Sequence, residues 1–146
     1  MFNTRNLTIA AVLSLGIILG WSTATLRADL EKNDNLVYEL RTYLTLDGRL
    51  PALNDRFKDH TLKLFEKHGM TNVVYFTPID KEGKPVENKL VYLLAHKSQA
   101  AAQASFAAFG KDPEWVAARD ASEKDGKIVA KVESQFFVPT DYSPMK

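Results

Sequence analysis

The side chains best suited to chemistry recur at alternate positions of one extended stretch, Val37 to Leu46. Glu39, Arg41 and Tyr43 repeat with a period of two and so leave the same face of a strand. A carboxylate beside a guanidinium makes an ion pair, and a guanidinium also presents a planar fork to an anionic ligand. Tyr92 and His96 share a parity within Lys89–His96, and Glu133 occupies one parity of Ile128–Val138. Tyr43, Tyr75, Tyr92 and His96 could each move a proton inside a cavity. Glu39, Arg41, Tyr43, Tyr92 and His96 are therefore the candidate ligand-lining set, with His60 and Glu133 as additional candidates. Arg41 is expected to pair with Glu39 first and to reach toward Glu133.

Other chemistry finds less support. His60 and His68 fall on a similar side of one helix, but not at the i, i+4 spacing of a zinc protease. His60 reads as a hydrogen-bonded residue at a helix–sheet edge, and His68, just before Gly69, as a C-terminal capping residue. Trp115 reads as a core or interface anchor. Lys81–Pro85 holds glycine and lysines without a phosphate-loop pattern. The chain has no cysteine, which removes disulfides, a thiol nucleophile and thiolate-held metals. No metal site and no cofactor are expected.

The elements that must position these residues follow from periodicity and punctuation. A strand is predicted over about Leu36–Leu46, ended by the turn pair Asp47-Gly48. A helix from about Arg49 to His68 starts with Pro51 in its first turn and stops at Gly69. Its apolar stripe is Leu50, Leu53, Phe57, Thr61, Leu64, Phe65 and His68. Strands follow at Asn72–Thr77 and Lys89–His96, joined by the charged loop Pro78–Asn88. Ser98 caps an alanine-rich helix that ends at Gly110, and Asp112-Pro113-Glu114 opens a shorter one reaching about Lys124. Ile128–Val138 is the last strand. The order, βαββαβ, is the ferredoxin-like pattern of an α+β domain: helices on one face of a four-stranded antiparallel sheet.

Such a sheet leaves its second face needing cover. Glu39, Arg41 and Tyr43 are expected on that open face, together with the Leu90, Tyr92, Leu94, His96 parity and the Glu133, Gln135, Phe137 parity. Val132, Ser134, Phe136 and Val138 suit the helix side. A second copy over the open face would enclose an amphipathic cavity.

Residues 1–28 are expected to be a signal peptide or a membrane anchor. Leu7–Trp21 is an apolar run of about 15 residues, long enough for a leader's hydrophobic region and short for a span. Ser22-x-Ala24 and Ala28 have the small residues of a cleavage site. Cleavage would make the protein periplasmic or secreted, whereas an uncleaved run over residues 7–21 would anchor it. Residues 29–35 read as a flexible lead-in, and 36–144 as the folded domain. Without the leader, 17 basic side chains face 18 acidic ones, a net charge of −1. That balance gives no basic patch for nucleic acid.

Val37–Tyr43 (VYELRTY), Leu64–Met70 (LFEKHGM), Leu90–Ser98 (LVYLLAHKS), Lys111–Trp115 (KDPEW) and Lys131–Pro144 (KVESQFFVPTDYSP) together resemble the NIPSNAP family, within the dimeric α/β-barrel superfamily. The resemblance implies a ferredoxin-like subunit whose sheet pairs with that of a second subunit, hence a homodimer. It implies no defined activity, because the family lacks an agreed biochemical role. Mitochondrial members are linked to organelle quality control and vesicle-related interactions, but this chain differs in its leader and single domain. Cofactor-independent monooxygenases and haem-degrading proteins share the superfamily fold; haem would require His96 or His60 as axial ligand.

Readings of different classes follow. The foremost is a module binding a small amphipathic ligand in a barrel closed by two copies. The next is a structural or interaction protein with a filled barrel. The third is a monooxygenase-like enzyme, which would need a histidine or tyrosine of shifted pKa inside the cavity.

Overall fold

Nine-residue Val37–Thr45 forms β1, and its alternation of aliphatic and polar side chains suits a strand covered differently on its two faces. The computed structural model describes residues 36–145. The expected leader (1–28) and lead-in (29–35) lie outside the described residues. After the turn at Gly48, where φ is +70°, the chain enters a long helix, α1. This helix runs as Leu50–Arg56, a π-helical turn Phe57–Thr61, and Leu62–Lys67. It ends where Gly69 adopts φ +76°, a conformation that costs an L side chain about 1–2 kcal/mol. Next come β2 (Thr71–Phe76), β3 (Lys89–His96), α2 (Gln99–Phe109), α3 (Pro113–Ser122) and β4 (Val129–Phe137).

The predicted caps are present. Ser98 Oγ accepts from the Ala101 amide at the start of α2, and Asp112 Oδ1 accepts from the Glu114 amide at the start of α3. The sheet is antiparallel with order β2-β3-β1-β4, the ferredoxin-like arrangement, with the helices packed on one side. Register defines the two faces row by row. Tyr75, Tyr92, Arg41 and Ser134 lie across one another toward the helices. Val74, Leu93, Leu40 and Gln135 form a row on the opposite face, as do Phe76, Val91, Thr42 and Glu133. The core between sheet and helices holds Leu53, Phe57, Leu64, Phe65, Met70, Tyr92, Leu94 and Ile128, with Phe109 and Leu50 at its margin.

The faces of β1 and β3 are thereby the reverse of the sequence expectation. Glu39, Arg41 and Tyr43, with Tyr92 and His96, face the helices and do not line an open barrel face. The Arg41 guanidinium lies 4.3 Å from the centre of the Phe106 ring on α2, and Tyr43 meets Phe57 of α1 edge-on at 5.8 Å. Alternation separates the two faces of a strand without saying which one is covered. Here the helices bring aromatic rings that accept a cation and phenols, while the aliphatic row Leu40, Leu93 is left on the open side. For β4 the expected parity holds, with Ser134 and Phe136 on the helix side.

Candidate functional site

The five ligand-lining candidates converge, but chiefly on one another. Arg41 Nη1 donates to Glu39 Oε1, and Ser134 Oγ donates to the same oxygen. His96 Nε2 lies 3.1 Å from the other Glu39 oxygen. Arg41 Nε donates to the Tyr92 hydroxyl at 3.0 Å, and Nη2 stands 3.5 Å from the Tyr43 hydroxyl. Glu39 and His96 are buried, so this carboxylate sits inside the protein with its charge answered from three directions. Burial pushes the Glu39 carboxyl up. Hydrogen bonds from His96 and Ser134 and the nearby Arg41 charge outweigh that and hold it below its ordinary value of 4.5. Burial works against the Arg41 charge, but the Tyr92 and Tyr43 oxygens that accept its hydrogen bonds and the Glu39 carboxylate keep the guanidinium protonated. Burial raises the Tyr92 phenol well above its ordinary value, and Tyr75 likewise. These phenols are therefore neutral hydrogen-bonding groups at neutral pH. The constellation is an internal ion-pair network whose members satisfy one another.

The remaining candidates stand apart from it. Glu133 is exposed on the opposite sheet face, where it pairs with Lys131 at 2.6 Å and not with Arg41. The β1–β4 register puts Ser134, not Glu133, across from Arg41. His60 is exposed on the outer side of α1 beside Ala118 and Ala121 of α3, away from any helix–sheet edge. His68 does more than end a helix. Its Nε2 lies 2.7 Å from Asp112 Oδ2, tying the end of α1 to the cap of α3. Hydrogen bonds from Lys67 and His68 hold the Asp112 carboxyl well below its ordinary value of 3.8. A depressed carboxylate contributes stability above its ordinary pKa and loses it as the pH falls. The Asp112→Asn variant keeps a capping oxygen but no charge. In urea unfolding its deficit against the unsubstituted protein should shrink as the pH drops below about 4.

A cavity adjoins this network. It lies between sheet and helices, with a volume of about 190 Å³. Tyr43 of β1 and Val129 and Val132 of β4 form its sheet side; Phe57, Thr61 and Phe65 of α1, Phe109 of α2 and Trp115 of α3 form its helix side. Trp115 and Phe109 pack with ring centres 4.4 Å apart. Arg56, Arg119, Glu123 and Lys127 complete the lining. Of the predicted set only Tyr43 reaches this space.

The π-helical turn faces the cavity. The Leu62 amide donates to Phe57 O, and Thr61 Oγ1 donates to Arg56 O at 3.1 Å. The wider turn places Arg56, Phe57 and Thr61 on the inner side together, all of them buried. Such turns occur often at functional sites. Arg56 is not among the sequence candidates; its position three residues after Leu53, beside the apolar stripe, is the signal that could have found it. Among the described residues there is no group of three or more His, Cys, Asp and Glu side chains placed to hold a metal ion.

Comparison with known proteins agrees with this architecture. Residues 38–144 match the NIPSNAP family model. A NIPSNAP family protein with unknown function from Agrobacterium tumefaciens, Atu4242, superposes with a TM-score of 0.61 at 25% identity, covering 76% of this chain and 94% of that one. An uncharacterised NIPSNAP domain protein from Burkholderia xenovorans gives 0.60 at 21%, covering 74% and 98%. A second Agrobacterium tumefaciens NIPSNAP protein, Atu5224, gives 0.62 at 16%, covering 76% and 99%. No curated protein matches the chain.

Proposed function

The chain belongs to the NIPSNAP family, and from that premise we propose that its domain binds a small molecule with an apolar body in the cavity between helices and sheet. The observation that carries this reading is the aromatic and aliphatic lining of a roughly 190 Å³ space beside an already satisfied polar network. A cavity of about 150 Å³ can hold a benzene-sized molecule, so this one takes a ring with a short substituent. The ligand sits within one subunit, not in a barrel shared by two. The leader-like run at residues 7–21 supports an exported protein that meets this ligand in the periplasm or the extracellular space, or at the membrane if the run stays as an anchor.

Benzyl alcohol titrated by calorimetry and by NMR against the full chain tests the reading. Saturable binding is expected, with shifts at the Trp115 indole, and the Val132→Trp variant should weaken it about tenfold or more by filling the space. Non-saturable binding, or binding indifferent to that substitution, would remove the reading.

A second reading, an interaction module, is favoured by one observation. Phe76 is 49% exposed and Phe137 42%, and register puts both on the sheet face away from the helices. A second copy is the occupant proposed there. Sedimentation should report a dimer that Phe137→Arg disrupts, because a buried unpaired cation opposes association. A monomeric unsubstituted protein would end that reading.

A further inference from the structure

The residue least explained by the fold is Arg56. Its side chain is 3% exposed, yet the protein does not complete its hydrogen bonding. Nη1 donates to Ser122 Oγ at 3.2 Å and to Glu123 Oε1 at 3.3 Å, and buried Nε has no partner. The Glu123 contact is long for a charge-assisted bond, which normally falls near 2.7–2.9 Å. The same Glu123 oxygen also accepts from the Ile128 amide, so it is divided between two donors. One face of the guanidinium lies 5.2 Å from the centre of the Trp115 ring. What remains unpartnered is Nε, on a residue that lines this cavity and also an outer groove beside α3.

A buried cation with an unmet donor is costly, because the desolvated N–H has lost its water and gained no partner. Among the described residues Glu123 is the ion-pair partner of Arg56, while Asp55 and Asp59 line a separate outer groove beside it. Arg119 also lines the cavity and pairs with its neighbour Asp120, while Lys127 has no ion-pair partner among the described residues. The cavity therefore couples an apolar chamber, floored by Phe57, Phe65, Phe109 and Val132, to a lining of three cations (Arg56, Arg119 and Lys127) against one carboxylate, Glu123.

Resting on the cavity reading above, we propose that the site takes small monocarboxylates carrying an aromatic or compact aliphatic body, the carboxylate received side-on by Arg56 and the body held against Phe109 and Trp115. A carboxylate's two oxygens match two parallel N–H donors of a guanidinium edge. The volume admits a benzoate-sized molecule and excludes long-chain acids from full burial. Arg119 and Lys127, at the margin, act on the approach of the anion and less on its final contacts.

Benzoate and benzyl alcohol, titrated in parallel against the full chain, test the proposal. They share a ring and differ in charge. Benzoate should bind roughly tenfold or more tightly than benzyl alcohol, the discrimination expected of a charge-assisted pair. Arg56→Gln should bring the ratio of benzoate to benzyl alcohol affinity down toward one. Because Arg56 is also packed, a measurement without substitution accompanies it. In proton–nitrogen spectra of the unsubstituted protein, benzoate but not benzyl alcohol should move the Arg56 Nε–H resonance. Equal affinity for the two ligands, or an unmoved Arg56 signal on benzoate saturation, would overturn this proposal while leaving the cavity reading intact. Binding of neither would remove both.

Discussion

Replacing Glu39 by alanine is expected to lower the unfolding free energy by about 3–5 kcal/mol, the usual effect of removing one partner from a buried ion pair. The carboxylate accepts from Arg41 and Ser134 and meets His96, so its removal takes away the anion opposite Arg41 and the acceptor of Ser134 at once. Arg41 is only 14% exposed, so its charge cannot turn to water without moving β1 against α2. The double variant Glu39→Ala, Arg41→Met should therefore lose less than the sum of the single changes, since the uncompensated cation is gone. The pH dependence has a definite sign. The Glu39 carboxyl titrates below its ordinary value of 4.5, so its contribution is whole above about pH 4.5 and fades as the pH falls. Urea unfolding across pH 3–7 should show that slope in the unsubstituted protein and a flatter one in Glu39→Gln. A Glu39→Ala loss below about 1 kcal/mol would mean that the network does not hold the sheet to the helices.

The Phe57→Ala variant should be comparably damaging, at about 3–5 kcal/mol. Phe57 is the junction of the aromatic core. Its ring centre lies 5.8 Å from Tyr43, 6.1 Å from Phe65, 5.8 Å from Tyr75 and 5.2 Å from Tyr92, all in edge-on or inclined geometries. Such pairs add about 0.5–1.5 kcal/mol beyond burial alone. Phe57 also begins the π-helical turn and lines the cavity, so its removal merges a new void with an existing one. Phe57→Leu keeps most of the volume and should retain about half of the lost stability. Calorimetric unfolding separates these cases. The site adds a second readout, because an enlarged cavity should bind benzyl alcohol less tightly even where the fold persists. Equal stability of Phe57→Ala and the unsubstituted protein would show that neighbouring rings collapse into the gap.

Much of the fold was legible because its punctuation is strong. Ser98, Asp112 with Pro113, and the positive-φ glycines Gly48 and Gly69 mark ends that few alternatives could satisfy. The β3 bounds, Lys89–His96, follow directly from the sequence pattern. What alternation could not supply was the covered side. Leu40 and Leu44 on one parity and Glu39, Arg41 and Tyr43 on the other look like a core face and a wet face, yet the polar parity is the inner one. Burial of those charges depends on partners distant in sequence, above all Ser134 and His96, and on the Phe106 ring beneath Arg41. The π-helical turn was hidden for a similar reason. A single wide turn leaves the apolar stripe readable as one continuous helix, so nothing in the spacing marks the turn or the burial of Arg56 just before it. Residue types suggested which groups could do chemistry; tertiary packing decided that most of them are spent on one another.

The proposed ligand space lies between sheet and helices, not on the far side of the sheet. Intermolecular nuclear Overhauser effects from bound benzyl alcohol test it most directly. Contacts to the Trp115 indole, the Phe109 ring and the Val132 methyls are predicted. Contacts instead to Leu40, Leu93 and Phe137, which register places on the opposite face, would contradict it.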